Sequence, residues 1–234
     1  MKSIVLIILC LIGFQPVVGQ EPNPDSLIKK LIEKIEKIES YKVDVEIEVD
    51  VEFINMPVKH ATMYYKQPDK IKFKSEEFIM LPKKGLKDGI RKLLSEPYTS
   101  IYIGTEILNE SNHHIVKIIP TGKKPDIILA TLWINEKTFL LSKSENSTRN
   151  EGTFTVEFSY FDHSIALPSE MVISFEIENL NIPLKFIGKT QGIDIDTEKA
   201  KGKQEGKVYI RFRNYAINLA IDNSVFEDNT IDNN

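Results

Sequence analysis

The chain has 234 residues, a formal net charge of −4 and a sequence pI of about 5.7. Its basic residues are spread along the sequence, whereas a nucleic-acid-binding protein usually carries a basic patch, which argues against that class of function. The single cysteine, Cys10, excludes an intrachain disulfide and a cysteine-rich zinc site. Stability must therefore come from burial of apolar surface, and the length suffices for one domain with a substantial core.

The N-terminus has the layout of a secretory signal peptide. Lys2 is followed by an apolar run over residues 4–14 and by the small-residue sequence Val17-Val18-Gly19. The run has about 11 residues, whereas a membrane-spanning helix needs about 20, so a cleaved signal peptide is favoured over a retained anchor. We predict residues 1–19 as the signal peptide and residues 20–234 as a single exported domain.

An amphipathic helix is predicted at the start of this domain. Asn23-Pro24-Asp25 supplies an N-cap candidate, a proline at the first helical position and an acid in the first turn. Such a helix has one apolar stripe that must pack on another element, which we expect to be the apolar face of a sheet. The stripe consists of Leu27, Ile28, Leu31, Ile32, Ile35 and Ile38.

The segment from Tyr41 to Phe53 is the clearest strand in the sequence. Every odd position is apolar or aromatic, and every even position is charged. Because side chains alternate between the two faces of a strand, this pattern predicts one buried face and one mostly acidic face in water. Such an arrangement is typical of antiparallel sheets.

Alternating patterns predict further strands in the rest of the chain. A charged, glycine-containing stretch over 194–206 is predicted as a loop or hairpin tip. Roughly ten or eleven antiparallel strands must close or curl to protect their edges. We therefore predict a mainly β fold with some α, in which a strongly curved antiparallel sheet forms a half-open barrel and helices cover its concave face. Strands are expected near 58–65, 70–74, 101–108, 115–120, 127–135, 139–143, 154–160, 171–177 and 208–212, with an apolar run at 78–81 and a short helix within 86–94.

Three groups of residues resemble motifs of the LolA-like outer-membrane lipoprotein carrier family. The segment Ala61-Thr62-Met63-Tyr64-Tyr65-Lys66-Gln67-Pro68-Asp69 resembles a strand and turn of that family, although its members often have arginine where this chain has Gln67. Leu132-Trp133-Ile134-Asn135 followed by Phe139-Leu140-Leu141 resembles its central hairpin. Tyr215-Ala216-Ile217-Asn218, with Val225-Phe226, resembles its closing segment.

The resemblance implies a periplasmic carrier that holds acyl chains in an apolar cavity between the sheet and the helices. Its partners would be an acylated lipoprotein or another lipid, together with transient inner- and outer-membrane proteins, and it would act as a monomer without a cofactor. An alternative on the same fold is a periplasmic sensor or interaction module that binds a lipoprotein or a membrane partner for regulation.

Candidate cavity residues follow from the apolar faces and from the resemblance. For each residue of the first strand, packing in an ordinary core is the simpler interpretation, and the cavity hypothesis concerns the face as a whole. Tyr64 and Tyr65 point to opposite faces, and the resemblance favours Tyr64 as the inward residue. The predicted cavity residues are Val45, Ile47, Val49, Val51, Tyr64, Ile71, Phe73, Phe78, Met80, Trp133 and Phe158.

The sequence gives little support for catalysis or metal binding. His113 and His114 are neighbours on a predicted strand, so they point to opposite faces and cannot easily hold one ion. A Gly-x-Ser-x-Gly nucleophile motif and a glycine-rich phosphate loop are both absent. We therefore expect neither an enzyme nor a resident metal or cofactor. A polar cluster facing the cavity would favour an enzyme instead.

Overall fold

A computed structural model of the protein describes residues 21–75, 90–149, 152–177, 194–195 and 204–227. The predicted signal peptide and the predicted cavity residues Phe78 and Met80 lie outside these ranges. Two α-helices occur in the described part of the chain, α1 (Pro24–Glu36) and α2 (Ile90–Ser95), and a 3₁₀ helix spans Asn223–Phe226. The strands are β1 (Ser40–Val51), β2 (Ile54–Asn55), β3 (Lys59–Lys66), β4 (Lys70–Lys74), β5 (Tyr98–Leu108), β6 (Ser111–Pro120), β7 (Ile127–Asn135), β8 (Leu141–Thr148), β9 (Thr153–Tyr160), β10 (Pro168–Ile177), β11 (Asp194–Ile195) and β12 (Gln204–Ile217).

These strands form one antiparallel sheet. Its order is β4-β3-β1-β12-β10-β9-β8-β7-β6-β5, and the two-residue strands β2 and β11 continue the sheet beside the end of β1. Within the described ranges β4 pairs only with β3 and β5 pairs only with β6, so the sheet does not close into a barrel. The predicted mainly β fold with one large antiparallel sheet is confirmed.

Strand β1 shows why the sheet has two chemically different faces. Val43, Val45 and Ile47 are buried, while Asp44, between them, is exposed. The partner strands continue both faces, because Val45 lies opposite Ala61 of β3 and Phe212 of β12. The alternation in the sequence therefore becomes an apolar concave face and a charged outer face.

Helix α1 begins and packs as its sequence predicts. The Asn23 side-chain oxygen accepts hydrogen bonds from the backbone N–H groups of Asp25 (2.9 Å) and Ser26 (3.4 Å). Such an N-cap stabilises a helix by about 1 kcal/mol relative to alanine. Leu27, Ile28 and Leu31 are buried against the β6–β8 part of the concave face.

The buried apolar side chains form two separate clusters on the concave side. Phe158 of β9 packs against both of them. The helix cluster joins the apolar faces of α1 and α2 to inward residues of β6, β7 and β8. Its members are Leu27, Ile28, Leu31, Leu93, Leu94, Val116, Ile118, Ala130, Leu132, Ile134 and Leu141. The β1 cluster lies on the other half of the sheet and contains Val43, Val45, Ile47, Met63, Tyr65, Val156, Met171, Ile173, Val208, Ile210 and Phe212.

On the outer face, Arg211 joins three neighbouring strands. Its Nη1 donates to Glu46 Oε1 (2.8 Å) and Glu48 Oε2 (2.7 Å) on β1, and its Nε donates to Glu170 Oε1 (3.0 Å) on β10. Hydrogen bonds to Glu46 and Glu48 are the main cause that raises the pKa of Arg211 above its usual value. The arginine separates three carboxylates that would otherwise repel one another.

Replacement of Arg211 by methionine is expected to lower the free energy of unfolding by about 1 kcal/mol, because these partly exposed ion pairs are screened by water. Urea unfolding at low salt and in 1 M NaCl measures the effect, and the difference from wild type should shrink in high salt. Arg213→Met is the control on the same strand, because the Arg213 guanidinium lies 5.8 Å from the Phe161 ring centroid and forms no ion pair with another described residue. Equal losses in the two variants would contradict the proposed role of Arg211.

Candidate functional site

A cavity of about 1210 Å³ lies between the helix cluster and the β1 cluster. It is larger than the roughly 300–1,000 Å³ of typical small-molecule sites. Its lining includes Leu31 and Leu93 from the helix cluster and Met63, Met171 and Phe212 from the β1 cluster. The cavity therefore occupies the part of the concave side where the two clusters do not meet.

An aromatic group forms one wall of the cavity. The rings of Tyr41 and Tyr65 stack with centroids 5.0 Å apart, and Tyr215 meets Tyr41 edge-on at 5.5 Å. The Tyr215 hydroxyl donates to the carbonyl oxygen of Pro168 at 2.8 Å. Burial raises the pKa of Tyr41 and Tyr215 well above the usual tyrosine value, so both hydroxyls stay neutral at physiological pH. The rings of this wall are uncharged, and the Arg91 guanidinium lies 5.4 Å from the Tyr65 ring centroid.

Only part of the predicted set lines this cavity. Ile71 of β4 and Phe158 of β9 do so, and their role in binding stays a prediction. The remaining predicted residues of β1 and β4 do not line the cavity but are packed in the sheet beside it. They are Val45, Ile47 and Val51, which are buried, and Val49 and Phe73, which pack against the β1 cluster.

The expectation that Tyr64 points inward is wrong. On β3 the inward residues are Ala61, Met63 and Tyr65, which are all buried. Tyr64 lies opposite lysines of both neighbouring strands, and Lys74 Nζ is 5.3 Å from its ring centroid. The cavity-lining tyrosine of the pair is therefore Tyr65.

The expectation that Trp133 lines the cavity is also corrected. Its neighbours Leu132 and Ile134 face the helix cluster, so the indole lies on the opposite side of β7. There Nε1 donates to Glu106 Oε2 (2.9 Å), and Lys143 Nζ lies 4.7 Å from the ring centroid. Trp133 is buried under these two long polar side chains on the outer face.

Two polar side chains of the described residues hold the C-terminal end of α1 in place. Gln67 Nε2 donates to the carbonyl oxygens of Glu36 (2.9 Å) and Ile38 (3.0 Å). Arg91 of α2 donates to the carbonyl oxygen of Ile35 (3.1 Å), and its guanidinium lies 5.4 Å from the Tyr65 ring centroid. Carbonyls at a helix C-terminus lack partners within the helix, so these contacts satisfy them and position the helix.

Three polar side chains of β8 face the cavity, and the sequence did not reveal them. Ser144, Asn146 and Thr148 are all buried and all line the cavity. The sequence-based strand ended at 143, because serine, asparagine and threonine are typical of turns. We call these three residues the polar row. A polar cluster facing the cavity is the feature that would favour an enzyme, but these three side chains are neutral and include no general base, so the row by itself does not assemble catalytic groups.

The described residues show no metal site. No group of three or more His, Cys, Asp or Glu side chains among them could hold an ion. His113 instead makes two internal hydrogen bonds at 2.8 Å, with the Ser111 carbonyl oxygen and with Ser142 Oγ. In the described part of the chain, no helix is both long and apolar enough to cross a membrane.

Comparisons with known proteins relate this chain to others through its fold. No protein family matches the sequence, and no curated protein sequence matches it. A solved LolA superfamily protein from Nitrosomonas europaea has a TM-score of 0.51 and 11% identity over 88% of this chain and 98% of its own. For a DUF1329 family protein from Desulfovibrio piger the TM-score is 0.54, with 11% identity over 88% of this chain and 98% of that one.

A third structure is an outer membrane lipoprotein-sorting protein domain from Vibrio parahaemolyticus. It has a TM-score of 0.51 and 10% identity, and covers 87% of this chain and 97% of its own. At such low identity these similarities establish the fold alone. The LolA-like fold that the sequence motifs implied is confirmed.

Replacement of Gln67 by leucine is expected to loosen the end of α1, because two carbonyl oxygens lose their donor. Hydrogen exchange of the backbone amides of residues 34–39 should accelerate by about tenfold, the size expected for loss of one to two net hydrogen bonds. The Gln67 backbone N–H keeps its bond to the Glu39 carbonyl oxygen (2.8 Å), so the β3–β4 turn should persist. Exchange of β12 amides serves as the internal control, and unchanged rates at residues 34–39 would show that Gln67 does not hold the helix.

Proposed function

We propose that this protein is a periplasmic carrier that binds the acyl chains of a lipoprotein, or of another lipid, in the cavity described above. In this proposal it shields the chains from water on their way to the outer membrane. The observation that carries the proposal is a cavity of about 1210 Å³ with a mainly apolar and aromatic wall in a sheet that does not close.

The energetics of acyl chains support such a site. Each methylene group left in water costs about 0.8 kcal/mol, so a soluble carrier must provide an apolar enclosure. Phe154, Phe158 and Met171 line the cavity and supply such surface. Methionine is flexible and adapts its packing to ligands of different shape. Such a wall suits a ligand that must be bound and later released.

The setting of this activity is part of the proposal. The signal-peptide-like sequence at residues 1–19 supports export, and the LolA-like fold supports the periplasm as the compartment. The partners would be an acylated lipoprotein or lipid and transient inner- and outer-membrane proteins, with the carrier itself a monomer. Handover to a partner would require α1 to move, and among the described residues three hydrogen bonds from side chains to the carbonyl oxygens of residues 35–38 hold its C-terminal end.

A second candidate function is a sensor or interaction module on the same fold. Ile101, Ile103 and Ile119 are each between about a third and a half exposed on β5 and β6, and Ile128 of β7 is similarly exposed. Exposed apolar patches often mark sites of protein interaction. This surface favours a binding role that does not require an occupied cavity.

Phe158→Glu is expected to abolish acyl binding, because an unpaired charge on an apolar cavity wall is costly. Tyr64→Glu is the matched control, since the same aromatic-to-acid change lies on the outer face and should leave binding intact. Native mass spectrometry of protein purified from a bacterial periplasm without detergent should show lipid on the wild type and on Tyr64→Glu, and none on Phe158→Glu.

Two results would contradict the carrier proposal. One is a folded Phe158→Glu variant that binds lipid as well as the wild type. The other is a wild-type protein that carries no lipid and also refuses added palmitic acid and a synthetic lipopeptide. The second result would favour the interaction module.

A further inference from the structure

Asn146 of the polar row lies in an otherwise apolar part of the concave face. Its neighbours on the adjoining strands are Ala130 of β7 and Phe154 of β9. Only 5% of its surface is exposed, and it lines the cavity together with Phe154. Asparagine is mostly exposed in folded proteins, and where it is buried its amide normally makes hydrogen bonds. The partners of this amide therefore determine what the cavity can bind at this point.

The nitrogen of the Asn146 amide is bonded within the polar row. Nδ2 donates to Ser144 Oγ at 3.0 Å, and this is the only hydrogen bond of the Asn146 side chain within the described ranges. The hydroxyl of Thr148 donates instead to the Gly152 carbonyl oxygen at 2.8 Å. The bond to Ser144 orients the amide of Asn146, with Nδ2 toward Ser144 and Oδ1 away from it.

The oxygen of the same amide is open to the cavity. Among the described residues, every side-chain nitrogen or oxygen that is fully buried has a hydrogen-bond partner. Oδ1 has no partner among these residues, so it is not fully buried. Because Asn146 lines the cavity and apolar neighbours flank it on both adjoining strands, the cavity is the space to which Oδ1 is open. This part of the wall therefore presents a neutral hydrogen-bond acceptor.

An acceptor at this position favours a ligand that has a neutral hydrogen-bond donor. An acyl chain that fills the cavity removes water from Oδ1, and a buried polar group without a partner is costly. An N–H or O–H group joined to the chain supplies that partner, whereas an ester or an ether has no hydrogen to donate. A charged amine would need a carboxylate beside it once it left water. The acidic residues of the lining lie outside β8, in turns and loops, and they are Asp69, Glu96, Asp126 and Glu227.

We propose that Asn146 Oδ1 accepts a hydrogen bond from a neutral N–H or O–H group joined to the acyl chain of the ligand. The inference rests on the proposed carrier function and deepens it, because it names the group by which the cavity distinguishes an amide-linked or hydroxyl-bearing chain from an ester or an ether. The chain packs against Phe154, Phe158 and the aromatic wall, and the donor lies beside β8.

Two matched pairs of lipids test this inference in protein purified from a bacterial periplasm. N-methyldodecanamide and methyl dodecanoate share chain and carbonyl, but only the amide has an N–H. 1-Dodecanol and 1-methoxyundecane have the same number of heavy atoms, but only the alcohol has an O–H. Displacement of a fluorescent fatty acid gives the affinity of each lipid, below its aggregation concentration.

The expected result takes account of the water that each lipid loses. An amide or an alcohol gives up more hydration than its matched lipid, so without a partner in the cavity it would bind more weakly. The wild type is expected to bind at least one donor lipid as tightly as its matched lipid, or more tightly, because Asn146 replaces the lost water.

Asn146→Leu assigns this effect to Oδ1, because leucine has a similar shape and no acceptor. The ratio of amide to ester affinity, or of alcohol to ether affinity, should fall about tenfold relative to the wild type, as expected for loss of one hydrogen bond in an apolar site. The pair whose ratio falls shows whether the donor is an N–H or an O–H. Ser147→Ala is the matched control, because Ser147 lies on the opposite face of β8 and bonds to Thr153 Oγ1 (3.1 Å). That variant should keep the ratios of the wild type.

Three outcomes would overturn the inference. A wild-type protein that binds both donor lipids more weakly than their matched lipids would reject it while leaving the carrier function intact, and this result does not depend on the fold of any variant. Ratios that stay unchanged in a folded Asn146→Leu variant would place recognition elsewhere. Failure of the wild type to bind the fluorescent fatty acid and all of the lipids would reject the carrier function together with the inference.

Discussion

The apolar concave face of an unclosed sheet is the constraint on which this structure depends. A sheet with one apolar face must cover it, and in a closed barrel the opposite strands would do so. Here α1 packs on the β6–β8 part of the face and forms the helix cluster. The β1 cluster occupies the other half, and the cavity lies between the two. Among the described residues, the cavity therefore lies where the cover provided by α1 and α2 ends.

The lining of the cavity separates three kinds of chemistry. Aromatic and aliphatic side chains of the β1 cluster provide neutral surface, and burial raises the pKa of Tyr41 and Tyr215 further above physiological pH. Charged side chains lie on α2, at the start of β4 and on the loops. The polar row lies on β8 between apolar neighbours. A ligand with apolar, neutral polar and charged parts would match all three zones.

Sequence patterns predicted the elements whose two faces differ clearly. The alternation in β1 and the N-cap and apolar stripe of α1 were sufficient to predict these two elements. An element that is buried on one face has apolar residues at regular spacing in its sequence. Tyr65 could also have been chosen, since it shares a face with Ala61 and Met63 at period two, but the family resemblance favoured Tyr64. Trp133 could not be assigned, because residues 130–134 of β7 are buried on both faces and show no alternation.

The polar row was missed for a different physical reason. Its composition is that of a turn, and only the strand pairing of β8 with β7 and β9 places it in the interior. Pairing between distant strands is not encoded in local propensity. The polar part of the lining on β8 was thus the part least visible in the sequence.

The unpaired edges of the described sheet have a consequence for the volume of the cavity. In a closed barrel the number of strands and their stagger set the diameter, so the interior volume is a fixed property of the architecture. Within the described ranges β4 and β5 do not pair with each other, and Gln67 and Arg91 hold the end of α1, whose Ile35 lines the cavity. A substitution at either anchor would therefore shift the helix that forms part of the cavity wall, so the volume of the cavity can change without the addition or removal of a strand.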